Sequence, residues 1–166
     1  MIMIASQILP SNIADYLRLD TGEYTDTELQ VYIDVAKKFI KSYTGIEDVT
    51  IKDESVGAGD DETKAFRLDN NNVLPQSVYI DGVLKTETTD YKIDTIKGEI
   101  TFVTAPLSGA SITSDYSLGI DAFVDFVIVV YILCQDMYDN RSMYVDKNNL
   151  NKVVDSILGM HCTNLL

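Results

Sequence analysis

The chain has 166 residues, with 26 Asp and Glu against 13 Lys and Arg and a formal net charge of -13. That balance argues against a protein that grips nucleic acid, because phosphate binding needs clustered cations that release counterions. A hydrophobic share of 46% is enough for a packed core and argues against intrinsic disorder, and the length fits one domain carrying at most a sizeable insertion.

The cysteines are Cys134 and Cys162. Two so far apart build neither a disulfide framework nor a paired metal-ligand motif, so both are expected as reduced thiols of an intracellularly made protein. The start, Met1 to Ser6, is apolar but lacks the basic opening of a signal peptide. From Ala122 to Cys134 only Asp125 is polar. That run is about 13 residues, short of the roughly 18 that span a bilayer, and predicts a buried helix of a soluble protein with no membrane partner.

In chain order, Pro10-Ser11-Asn12 opens a short predicted helix to Arg18, followed by a turn at Leu19 to Gly22. Thr25-Asp26-Thr27-Glu28 has the form of a capping box. Leu29, Tyr32, Ile33, Ala36, Phe39, Ile40 and Tyr43 then recur at spacings of three and four, predicting a helix with one apolar face that Gly45 terminates. Asp34 and Lys38 are expected to pair on its outside, with Lys37, Lys38 and Lys41 toward its negative end.

From Glu47 to Gly119 the period changes to two. Val49 and Ile51 start a strand, and the stretch from Gly57 to Glu62 reads as a mobile loop. Val78-Tyr79-Ile80 faces Val83-Leu84 across Asp81-Gly82, a strong hairpin signal. Tyr91 to Asp94 and Glu99 to Val103 flank a turn at Lys97-Gly98. The block predicts an antiparallel β-meander of about five or six strands. Asp121 is the expected cap of a long helix to Asp139, chosen over a strand on length. Asn148 or Asn149 is the expected cap of a last helix that Gly159 stops, with Met160 to Leu166 as a tail. The fold class is therefore α+β: a small helical bundle (1–46 and 120–166) with an inserted antiparallel β-meander domain (47–119).

Residues for catalysis are not assembled by this pattern. The single histidine, His161, lies in the terminal segment, which leaves no Ser-His-Asp or Cys-His constellation on a rigid element. Gly57-Ala58-Gly59 lacks the Lys-Ser/Thr and following helix of a phosphate loop. Asp60-Asp61-Glu62 reads as a solvated acidic loop before it reads as a cation site. No catalytic, cofactor or metal residue is assigned. The ten tyrosines, with no Trp, are expected chiefly as half-buried sheet residues and partly as partner-binding surface.

Tyr16-Leu17-Arg18-Leu19-Asp20, the capped helix from Asp26 to Tyr43-Thr44-Gly45, and Tyr138-Asp139-Asn140-Arg141 after the apolar helix resemble the head-tail connector (adaptor) proteins of tailed double-stranded DNA bacteriophages. The match covers residues 10 to 45 and 121 to 158. The β block departs from the shortest members, which join the helices with far less chain, and the end of the chain lacks a basic segment. The resemblance implies a non-enzymatic virion protein of the neck, made in the host cytoplasm, with no cofactor. It further implies a ring of about a dozen copies between the portal protein and a stopper or tail-terminator protein, closed by rotation through a heterologous interface. Genomic DNA would pass through its acidic channel without specific binding. Tyr16, Arg18, Asp20, Tyr138, Asn140 and Arg141 are the expected subunit-interface residues, although Arg141 at a helix end would equally satisfy terminal carbonyls. The rival readings are a tail-completion or stopper protein of the same neck and a ligand-binding β module.

Overall fold

The computed structural model describes residues 3–140 and 151–162. The chain divides into two compact units, residues 1–47 with 123–166, and residues 48–122. The first is helical and the second is built of antiparallel strands, an α+β fold.

In the helical unit a single 3-10 turn at Ala5–Gln7 precedes α1 (Pro10–Leu17), α2 (Asp26–Thr44), α3 (Phe126–Asp139) and α4 (Lys152–Met160). Pro10 occupies the first turn of α1, where its missing N–H costs no bond. The Thr25 hydroxyl accepts the Glu28 N–H at 3.2 Å, satisfying one orphan donor at the start of α2. At the other end Gly45 takes φ 74 and donates its N–H to Lys41, the left-handed cap that glycine adopts without strain. Leu29, Ile33, Ala36 and Ile40 of α2 are buried with Ile13 of α1, Phe126, Val129, Val130 and Cys134 of α3, and Val154 and Leu158 of α4.

Several helix boundaries differ from expectation. Asp121 lies in a 3-10 turn at Ile120–Ala122, and Asp125 occupies the N-cap position of α3 without a capping bond from its side chain. Asn151 caps α4, its side chain accepting from Val153 at 3.0 Å; Asn148 and Asn149 lie outside the described residues. Gly159 sits inside α4, which runs on to Met160, because a helical glycine costs only about 1 kcal/mol against a packed apolar face. On α2, Asp34 accepts from the Gln30 amide at 2.9 Å in place of the expected Lys38 pair.

The β unit holds β1 (Val49–Ala58), β2 (Ala65–Arg67), β3 (Leu74–Ile80), β4 (Val83–Leu84), β5 (Tyr91–Asp94), β6 (Glu99–Phe102) and β7 (Ser111–Leu118). Two sheets result, ordered β1-β7-β3-β4 and β2-β6-β5. Only β3–β4 and β5–β6 are the hairpins of a meander. The first strand instead pairs with the last, Val49 opposite Leu118 and Ala58 opposite Ser111. The Asp81-Gly82 turn has φ 51 and 74, the doubly left-handed geometry that closes a two-residue hairpin. Between the sheets lie Leu68, Val73, Val78, Tyr91, Ile100, Phe102, Ile112 and Tyr116.

Gly57 and Ala58 belong to β1, and the loop expected to be mobile is tied down. Gly59 donates to Ala110 and accepts from Gly109, both at 2.9 Å. Asp60 accepts the N–H groups of Glu62 and Thr63 and the Thr63 hydroxyl. These bonds hold the Asp60 carboxyl below the usual carboxylate range, the Thr63 hydroxyl contributing most.

Candidate interaction surface

The sequence motifs at the ends of α1 and α3 fall in the same helical unit. Tyr16 is 41% exposed, and its ring centroid lies 5.0 Å from that of Tyr131 on α3. Arg18 caps α1 in the left-handed region (φ 57), with its N–H directed to the carbonyls of Ala14 and Asp15. Asp20 is exposed and donates its backbone N–H to Glu23 at 2.8 Å. At the end of α3, Asn140 turns its N–H and its side-chain amide onto the Asp136 carbonyl, at 3.0 and 2.9 Å. Tyr138 is half-buried, and Arg141 lies outside the described residues.

Tyr16 therefore meets the middle of α3. Tyr131 precedes Asn140 by more than two helical turns, roughly 13 Å of rise. The α1 motif and the α3 terminus share a unit without forming one patch around Tyr16, and Asn140 has a local task as a helix cap.

The larger exposed feature was not among the expected residues. Val31, Val35 and Phe39 follow one another at four-residue spacing on α2 and are 53%, 49% and 37% exposed. They stand opposite the buried Leu29, Ile33, Ala36 and Ile40. Phe39 thus leaves the core face to which its spacing assigned it, and its ring lies 5.9 Å from Tyr43. On α3, Ile128 is also exposed and Ile132 half-buried, and Val124 is exposed in the turn just before the helix. A second apolar row on a helix that already has a buried face was the signal available in the sequence.

The last turn of α3 carries Asp136 and Asp139 and no basic residue. Negative charge there opposes the negative end of the helix dipole. Burial, and then the charge of Asp139, push the Asp136 carboxyl above its ordinary range.

The helical unit is closed by polar contacts from its C-terminal segment. The Tyr43 hydroxyl donates to Asp155 on α4 at 2.7 Å, and the Cys162 thiol donates to the Tyr43 carbonyl at 3.2 Å. The His161 ring packs 4.5 Å from Phe123 and 5.0 Å from Phe126, with Nε2 at 2.6 Å from Asp125. The adjacent thiol and imidazole are engaged with different partners, so they do not form a nucleophile–base couple. The Cys134 thiol is pushed up to about 12 by burial, with Lys37 acting weakly against it. Among the described residues, no group of three or more His, Cys, Asp or Glu is arranged to hold a metal ion, and no helix is long and apolar enough to cross a membrane.

The β unit contributes a groove of about 320 Å³ lined by Ile80, Lys85, Asp90, Phe102, Pro106 and Leu107, among others.

No protein-family model matches the chain, and no curated protein sequence does. Two solved structures contain similar chains. One is the neck of an empty gene transfer agent particle computed with C6 symmetry: 17% identity, TM-score 0.47, covering 100% of this chain and 94% of that one. The other is the virion of a native gene transfer agent particle: 16% identity, TM-score 0.46, covering 98% and 92%.

Proposed function

We propose that this protein is a non-enzymatic structural part of a phage-type virion neck, a head-tail connector that forms an oligomeric ring between portal and tail. One observation carries the reading. The segments that resemble connector proteins, separated in sequence by the β block, fold back as α1, α2 and α3 of one helical unit. A ring subunit needs such a rigid body with faces left for its neighbours, and α2 and α3 both leave apolar side chains exposed. The net charge of -13 suits a channel wall along which DNA slides without being held. Tyr16, Arg18, Asp20, Tyr138, Asn140 and Arg141 stay with this proposal as interface residues, as do the portal and the stopper or tail-terminator protein as partners.

Immunogold labelling of tagged protein on intact particles tests it. Gold between head and tail is the expected result; gold elsewhere on the particle rejects the neck assignment. Absence of particle-associated label, with the tag accessible, rejects a virion role. It would favour the second reading, a ligand-binding β module, for which the groove beside Phe102 and Lys85 is the specific support.

A further inference from the structure

We propose that the exposed α2 row of one copy packs parallel against the exposed α3 row of the next copy. Val31 and Val35 would meet Ile128 and Ile132 there, and Lys38 would reach Asp136 and Asp139. This inference rests on the ring reading above and deepens it by naming the surface between copies.

The occupant follows from charge. The N-terminal half of α2 is acidic (Asp26, Glu28, Asp34) and its C-terminal half basic (Lys37, Lys38, Lys41). α3 and its N-cap residue carry carboxylates at Asp125, Asp136 and Asp139 and no cationic side chain. Inside one copy the two helices run antiparallel. Tyr43, at the end of α2, touches Cys162, and the adjoining His161 touches Asp125 at the start of α3. The acidic end of α3 therefore lies beside the acidic half of its own α2, and the two carboxylates of its last turn gain no cation from the α2 lysines. A second copy presenting α2 in the parallel sense supplies those lysines. Both rows lie outside the buried residues of their helices. Used heterologously, the contact leaves the α3 row of the first copy and the α2 row of the second open to further neighbours, as a closed ring requires.

Charge exchange in the full-length protein tests the face, read as mass distribution by analytical ultracentrifugation over a concentration series. Lys38→Glu, and separately Asp139→Lys, are each expected to weaken self-association at least ~10-fold; both alter exposed positions, and circular dichroism checks their folding. An equimolar mixture of the two, and the chain carrying both changes, are expected to regain association above the dimer. Wild-type masses in both variants overturn the proposal, as does a wild-type chain that stays monomeric throughout. A discrete dimer abolished by Lys38→Glu but not by Asp139→Lys also overturns it, since that is antiparallel pairing of two α2 helices. Gold at the neck with unaffected variants rejects this face and leaves the neck assignment standing. Charge-rescued oligomers without gold on particles do the reverse.

Discussion

The hydroxyl of Tyr43, in the last turn of α2, donates to the carboxylate of Asp155 on α4 across 2.7 Å and more than a hundred residues of sequence. That bond, with the Cys162 thiol on the Tyr43 carbonyl, joins the C-terminal helix to the N-terminal half of its unit. Asp155 holds the Tyr43 proton above the ordinary phenol range, first through this hydrogen bond. A raised phenol pKa means stability that is fully present below about pH 10 and lost as pH rises through the folded value. Protection of the α4 amides, taken relative to the hydroxide-driven intrinsic exchange rate, should therefore fall above about pH 10. Tyr43→Phe should show quickened exchange already at neutral pH, with a several-fold rise in α4 and little change in the β unit.

Tyr116 provides the corresponding test in the β unit. Its ring is fully buried, and its hydroxyl donates to Glu54 and accepts from the Asn70 amide. Burial, then the Glu54 bond, push the phenol up to about 12, with Asn70 acting the other way. The β unit should lose stability as pH climbs from about 10 to about 12, followed as tyrosinate absorbance arriving together with the loss of sheet signal. Tyr116→Phe should remove that late titration and cost about 1–2 kcal/mol in urea unfolding at neutral pH, because Asn70 loses an acceptor.

Two glycines at tight turns should respond differently to the same change. A Cβ at Gly98 (φ +65) would lie 2.0 Å from the Asn70 carbonyl oxygen, whereas at Gly82 (φ +74) it meets nothing within 4 Å. Gly82→Ala should cost about 1 kcal/mol for the left-handed backbone alone. Gly98→Ala should cost at least ~3 kcal/mol, because backbone must move as well. Urea unfolding monitored by the sheet signal compares them.

The thiols should separate cleanly. Cys162 is exposed, while Cys134 is buried with its thiol held up to about 12. Ellman's reagent at pH 8 should titrate one thiol per chain promptly and the second only in denaturant. Prompt reaction of both would mean that the α2–α3 core opens in the native protein.

Hydrophobic period and turn chemistry made most elements readable. Leu29, Ile33, Ala36 and Ile40 announce α2, and Asp81-Gly82 announces the β3–β4 hairpin. What the chain order hides is long-range pairing. Ser111 to Leu118 alternates equally well whether its neighbour is β6 or β1, and only the closing of a two-layer core around Tyr116 selects β1 and β3. Asp121 is the cap that the sequence leads one to expect for α3, yet the helix starts later. The interface residues were only partly legible for a similar reason. Tyr16 and Asn140 stand out as motif letters, but their contacts are local, with Tyr131 and with the Asp136 carbonyl. Val31 and Val35 belong to no motif and are noticed only when the opposite side of α2 is seen to be filled.

The pairing of β1 with β7 has a consequence for how such a chain can be built. Because Val49 and Leu118 are register partners, the β unit begins and ends on adjacent strands, with backbones about 5 Å apart. A segment whose two ends are neighbours behaves as a cassette. It can be lengthened, exchanged or cut out and bridged by a few residues without asking α2 or α3 to shift, leaving the helical part free to keep one design while the inserted part diverges.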